Sequence, residues 1–286
     1  MGLTLGTDPA QATGRCISHL TISCIEQQLN IRLWLPDHPI AAGSCRAFQG
    51  LRRYFWFTAL LGFNDVDHLV KTIESRLDDL IDLGTDLLKP FDPKGDDWAA
   101  GWILQLVQRH HPALLDGLMT DRDRGWLITE SDEGVDYGVL QHALLNQQFE
   151  QADRLTSSLL RELAGEAAVQ RGYVYFSEVP PIPGSDLVSI DRLWTVYSQG
   201  RFGFSAQARL LSALGGRYEQ LWPRIGWKME GVWTRYPGSF TWSLEAPDGH
   251  MPLVNQLRGV RLMDALLNHP ALISRREAPD EVQPNR

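Results

Sequence analysis

Across the second half of the chain, apolar residues fall in blocks whose length and spacing suit helices better than strands. Tyr137 to Leu145, Phe149 to Leu163, Asp186 to Ser198, Ser205 to Leu214 and Pro252 to Leu267 each carry this pattern. Upstream, Leu69, Ile73, Leu77, Leu80 and Ile81 recur at three and four with Gly84 at the exit, and Trp98, Trp102, Ile103, Leu106 and Val107 outline another helix. Pro112 sits near the start of a short segment that follows. The spacing therefore predicts an all-α protein. Ser185 and Asp186 can cap the helix holding Leu187, Ile190, Leu193 and Trp194, and Gly200 suits its exit. Pro252 fits a first helical turn, and Pro270 is expected to stop the last helix.

Charge divides the chain. Residues 53–133 hold 16 Asp and Glu against 8 Lys and Arg, so the whole excess of −8 lies there. Residues 1–52 are poor in acid, lack a signal-peptide core, and hold all three cysteines, Cys16, Cys24 and Cys45. A transit peptide has such a composition, as does a weakly ordered extension. The expected organisation is an extension over 1–52, an accessory helical bundle over 53–133 ending in an acidic linker from Thr120 to Gly134, a core domain over 134–273, and a tail over 274–286. No basic stripe marks a nucleic-acid binder. No run of about 18 apolar residues is present, so any membrane contact is expected to be peripheral.

Catalytic signatures are scarce. G-x-x-x-x-G-K-[ST], G-x-S-x-G and H-E-x-x-H are all absent, and Gly200-Arg201-Phe202-Gly203-Phe204 has no strand before it to make a dinucleotide fingerprint. His110 and His111 are adjacent and point apart on a helix, so they make a poor metal pair. Asp78, Asp79 and Asp82 read as a solvated face, and His250 as a residue that fixes its loop by a hydrogen bond. No catalytic residue and no metal site is expected.

One constellation carries more. Asn255, Arg258 and Arg261 lie three apart, so they share one stripe of a helix, and two like charges at that spacing repel unless an anion or a carboxylate relieves them. Just upstream, Gly226 to Gly249 reads as a loop rich in aromatic rings, among them Tyr236, Phe240 and Trp242. Two readings stand. The rings pack into the core and Arg258 pairs with Asp248 or Asp264, or the loop folds back beside the arginines and receives a flat, anionic ligand such as a porphyrin.

Longer motifs then bear on the choice. Gly134-Val135-Asp136-Tyr137, Phe149-Glu150-x-Ala152-Asp153-x-x-Thr156, Asp186-Leu187 through Ile190-Asp191-Arg192-Leu193-Trp194, and Ser198-x-Gly200-Arg201-Phe202-Gly203-Phe204 come in order. They are followed by Leu221-Trp222-Pro223-x-Ile225-Gly226-Trp227, Val232-Trp233-Thr234-Arg235, Phe240-Thr241-Trp242, Ala246-Pro247-x-Gly249-His250 and Pro252-Leu253-x-Asn255-Gln256-Leu257-Arg258-Gly259-Val260-Arg261. Over roughly residues 134–270 the chain resembles the Genomes-Uncoupled-Four family.

The resemblance implies an all-helical core shaped like a cupped hand, which binds protoporphyrin IX and Mg-protoporphyrin IX without covalent attachment. It also implies a non-enzymatic activator of magnesium chelatase in chlorophyll biosynthesis, partnered with the large porphyrin-binding subunit of that enzyme. A tetrapyrrole sensor that signals through a partner protein is the alternative. The compartment implied is a cyanobacterial cytoplasm or a plastid stroma, at most peripheral to the thylakoid membrane. The binding positions carried over are Phe176, Tyr236, Phe240, Arg258 and Arg261, with Asn255 and Leu187 beside them. Two departures stand out: Tyr236 occupies a position where members often have Trp, and Ser157 one where a basic residue has been implicated.

Overall fold

The computed structural model describes residues 88, 91–110, 112–119, 124–253 and 260–277. The expected helix from Asp65 to Ile81, the three cysteines, and residues 1–52 lie outside the described residues, as do Asn255 and Arg258. Among the described residues ten α-helices are joined by one 3-10 turn and one two-stranded hairpin, an all-α architecture. In chain order the helices are α1 (Trp98–His110), α2 (Pro112–Leu118), α3 (Gly138–Leu145), α4 (Phe149–Leu163), α5 (Glu166–Arg171), α6 (Gly184–Tyr197), α7 (Phe204–Ala213), α8 (Tyr218–Arg224), α9 (Val260–Leu267) and α10 (Pro270–Glu277). The 3-10 turn, Phe176–Glu178, precedes α6, and the strands β1 (Lys228–Met229) and β2 (Val232–Trp233) follow α8.

The centre of the fold is α6, which is buried nearly all round, as a helix enclosed by others must be. Its aromatic residues complete their polar edges inside the core: the Trp194 indole N–H donates to Thr156 at 2.9 Å, and the Tyr197 hydroxyl donates to Gln141 at 2.8 Å. Phe149 and Phe202 pack against Trp194. On the other side α1 crosses α6 so closely that a Cβ added at Gly101 would stand 2.5 Å from the Val196 carbonyl oxygen. Glycine is required there by proximity. Gln105 of α1 locks the crossing by donating to the carbonyls of Tyr197 and Leu144.

Several local expectations change. Ser185 and Asp186 do not cap α6, which begins at Gly184 behind Pro183 with no side-chain cap. Asp186 is buried instead, because its carboxylate accepts the Tyr137 hydroxyl at 2.6 Å and the Asp132 amide at 3.1 Å. The helix before Pro270 does stop, at Leu267, but it is not the last: Pro270 opens α10, since a first-turn position needs no N–H from it. The helix expected from Pro252 is described only from Val260, and Pro252 and Leu253 are not helical. The acidic stretch before Gly134 is docked rather than loose: Trp126 and Leu127 are buried, and the Ser189 hydroxyl exchanges hydrogen bonds with the Glu130 backbone. The aromatic loop holds the β1–β2 hairpin. Gly200 does take a positive φ at the exit of α6, and α4 spans Phe149–Leu163 as its apolar stripe predicts.

Candidate functional site

The aromatic loop is assembled from α8 outward. Trp222 of α8 stacks on Trp227, their planes 6° apart at 5.6 Å, and meets Tyr218 and Trp233 at 5.4 and 5.6 Å. This stack supports the hairpin, in which Lys228 pairs with Trp233 and Met229 with Val232. Glu230 and Gly231 both have positive φ, as a two-residue turn between twisted strands demands. The tip projects outward, leaving Met229 68% and Val232 70% exposed.

Beyond the hairpin the chain turns back at Pro237, whose carbonyl accepts the Phe240 amide and the Trp242 indole N–H. Tyr236, Phe240 and Trp242 then form a three-ring cluster with centroids 5.5–5.8 Å apart. Tyr236 is 38% exposed, while Phe240 is nearly buried and lies 4.9 Å from the His250 ring.

Under these rings runs a strap, residues 249–253, held from several elements. The amide of Gly203 donates to the Met251 carbonyl, the Gln207 side-chain amide donates to Gly249 and Pro252, and the Trp227 indole donates to the His250 carbonyl. His250 fixes the loop, because its Nδ1 meets the Ile225 carbonyl at 2.6 Å. A carbonyl only accepts, so Nδ1 carries the proton and Nε2 is left bare. Burial also pushes the imidazole below its ordinary pKa, which keeps it neutral. From α4, Asp153 Oδ1 accepts the Leu253 amide at 2.6 Å.

A second surface lies where α9 packs on the 3-10 turn. The Arg171 guanidinium sits over Tyr173 and Tyr175, at 4.8 and 4.1 Å, and is paired with Glu178. Next to it Phe176 is 44% exposed, and the Arg261 guanidinium lies 5.4 Å from its ring centroid.

The residues expected to bind a ligand thus fall into distinct places. Tyr236 and Phe240 share one cluster, and Phe176 and Arg261 share another. Leu187 is fully enclosed in α6, part of the core and of neither exposed surface. Asp248 pairs with Arg201 at 2.7 Å and Asp264 accepts the Tyr218 hydroxyl, while the expected pairing of Arg258 with either carboxylate lies outside the described residues. Among the described residues no group of three or more His, Cys, Asp or Glu could hold a metal ion, and no helix is long and apolar enough to cross a membrane.

Two features escaped the sequence. The tyrosine clasp on Arg171 comes from one short stretch, Arg171, Tyr173, Tyr175 and Glu178, which sits in a turn where no helical or strand period marks it. Asp153 was legible in principle, since an acid on the apolar stripe of Phe149, Ala152, Thr156 and Leu160 has to be buried for a reason.

Fold and site together define an all-α protein that displays aromatic rings beside guanidinium groups. A family profile described as GUN4-like matches residues 130–270. The Ycf53-like protein of Synechocystis is 53% identical over 168 residues, 59% of this chain and 67% of that one. The chloroplastic tetrapyrrole-binding protein of Arabidopsis thaliana is 41% identical over 144 residues, 47% of this chain and 54% of that one. The solved structure of GUN4 from Chlamydomonas reinhardtii is 36% identical and aligns over 51% of this chain and 93% of that one, with a TM-score of 0.48. The chain belongs to the GUN4-like family. The match spans about two thirds or less of the length of these two curated relatives.

Proposed function

We propose that the chain binds tetrapyrroles, specifically protoporphyrin IX and its magnesium derivative, and stimulates magnesium chelatase through the large porphyrin-binding subunit of that enzyme. In this reading it turns nothing over, and it works in a cyanobacterial cytoplasm or a plastid stroma, at most peripheral to a membrane. The supporting observation is a pair of exposed aromatic sites, Tyr236 against Phe240 in one cluster and Phe176 beside the Arg261 guanidinium in the other. A porphyrin has two apolar faces and carboxylates at one edge, and these match rings and guanidinium groups respectively. Burying about 400 Å² of macrocycle contributes roughly 10 kcal/mol before ordering costs are subtracted, which leaves room for micromolar binding. The Arabidopsis relative is named for binding the same ligand class.

Titration of the full chain with deuteroporphyrin, followed by quenching of tryptophan emission, tests binding. Saturable quenching in the micromolar range is expected, and an unchanged signal overturns the reading. Replacing Arg258 and Arg261 together by Ala is expected to weaken binding more than tenfold, and unchanged affinity would remove the two arginines from the site. Chelatase turnover at limiting magnesium, with and without the chain, tests the regulatory half.

A further inference from the structure

Asp153 is a buried side chain on α4 that is tied to the strap and acts on the aromatic loop. It is 1% exposed, and its Oδ1 accepts the Leu253 amide, 100 residues away in sequence. Leu253 is the last described residue before 254–259, the stretch that carries Asn255 and Arg258. On its other side the carboxyl meets Tyr236, the exposed ring of the loop. The phenol acts on the carboxyl through a hydrogen-bonding and charge interaction, while Oδ2 is left without a partner of ordinary geometry. An orphan carboxylate oxygen in the interior is expensive to keep, so its retention calls for a partner that arrives later.

We propose that Asp153 is a positioning residue of the tetrapyrrole site: one oxygen ties the strap at Leu253, and the free oxygen accepts the Tyr236 hydroxyl when the aromatic loop settles over a pigment. This rests on the tetrapyrrole reading above. A phenol held by a carboxylate keeps its ring in one orientation, so less freedom is lost when the ring stacks on a macrocycle. The interaction tightens in the bound state, so it contributes to affinity.

The charged and titratable groups acting on Asp153 are Glu150 and Arg154 from its own helix and Tyr236 from the loop; the strap supplies the Leu253 N–H. Glu150 and Arg154 pair with each other at the surface, so neither occupies the free oxygen. Burial raises the Asp153 carboxyl to about 7, so it changes charge near neutrality. The ionised form is the stronger acceptor, and pigment affinity should therefore rise as pH passes upward through that range.

The test is a double-mutant cycle on the full chain with deuteroporphyrin as probe, using Tyr236→Phe, Asp153→Asn and both together, at pH 6, 7 and 8. Tyr236→Phe removes only the hydroxyl of a partly exposed residue and keeps the ring, so the fold is not at stake. At pH 8 it is expected to weaken binding about fivefold to tenfold, the size of one hydrogen bond to a charged group. The double variant should lose little more than either single, and the rise of affinity with pH should flatten in all three. If Asp153→Asn melts early, the Tyr236→Phe titration and its pH profile carry the test alone. Wild-type affinity and pH profile in Tyr236→Phe would overturn the role of Asp153 while leaving tetrapyrrole binding intact, as would additive losses in a well-folded cycle. No binding by the unsubstituted chain would overturn both.

Discussion

Buried polar side chains are treated in two ways within this one fold. Along α6, Asp186, Asp191 and Arg192 are buried and fully engaged. Asp191 accepts from the Ser205 amide and hydroxyl and from Arg275 Nε at 2.8 Å, while Arg192 donates to the carbonyls of Pro93, Gly95 and Ile128. Around the strap, Asp153, Gln207 and His250 are just as buried, yet each keeps one polar atom without a partner. The first arrangement ties residues 93–96, Ile128, Asp132 and α10 to the core. The second leaves hydrogen-bonding capacity unspent directly beneath the exposed rings. Unpartnered buried atoms cost stability, so the open cluster is the place where the proposed binding would be felt first.

Breaking the saturated cluster should have the largest effect. Asp191→Ala strands the Arg275 guanidinium and the Ser205 amide away from water, and loss of one member of a buried ion pair typically removes about 3–5 kcal/mol. Urea denaturation of the variant should show that loss. A change below about 1 kcal/mol would mean that Asp96, the other carboxylate on Arg275, suffices by itself and that the cluster is redundant.

The unsaturated cluster should instead reveal itself through pH. The Asp153 carboxyl stands at about 7 in the folded chain, against an ordinary value of 3.8, because burial disfavours its charge. A raised folded value favours the protonated form, so the contribution to stability is fully present below about pH 4 and is lost as pH climbs to about 7. Relative to Asp153→Asn, the wild-type chain should become less stable across that window, by on the order of 2–4 kcal/mol, and then level off. Parallel stability curves for the two proteins would show that the carboxyl titrates normally and that the interior around the strap is wet.

How much of this could be read from the sequence depends on whether the cause is local. The apolar stripe of α4 gave its bounds because fifteen residues carry enough periods to be unambiguous. By contrast α5 spans six residues and α8 seven with Pro223 inside it, too short for spacing to speak. Asp186 looks like a cap from its neighbours, and only the Tyr137 hydroxyl, 49 positions earlier, explains its burial. Pro270 is ambiguous for a related reason: the same ring that ends one helix can begin another. For the site, the ring-rich loop was visible in composition and the arginines in spacing. The pairing of Phe176 with Arg261 and the position of Asp153 under Tyr236 depend on contacts between distant segments, which no local pattern encodes.

The hairpin tip offers the smallest effect and the finest discrimination. Met229 and Val232 stand opposite one another in the last pair before the turn, both largely exposed, while the next pair inward places Trp233 on the buried Trp222. Val232→Thr keeps the β-branched shape and the strand preference and changes only the polarity of an exposed group, so stability should shift by no more than about 0.5 kcal/mol in the same urea assay. A loss above about 1 kcal/mol would mean that the tip is covered by another part of the chain. The exposed rings would then belong to the sealed part of the molecule, and the contrast between a closed core and an open binding surface would have to be redrawn one residue pair further out.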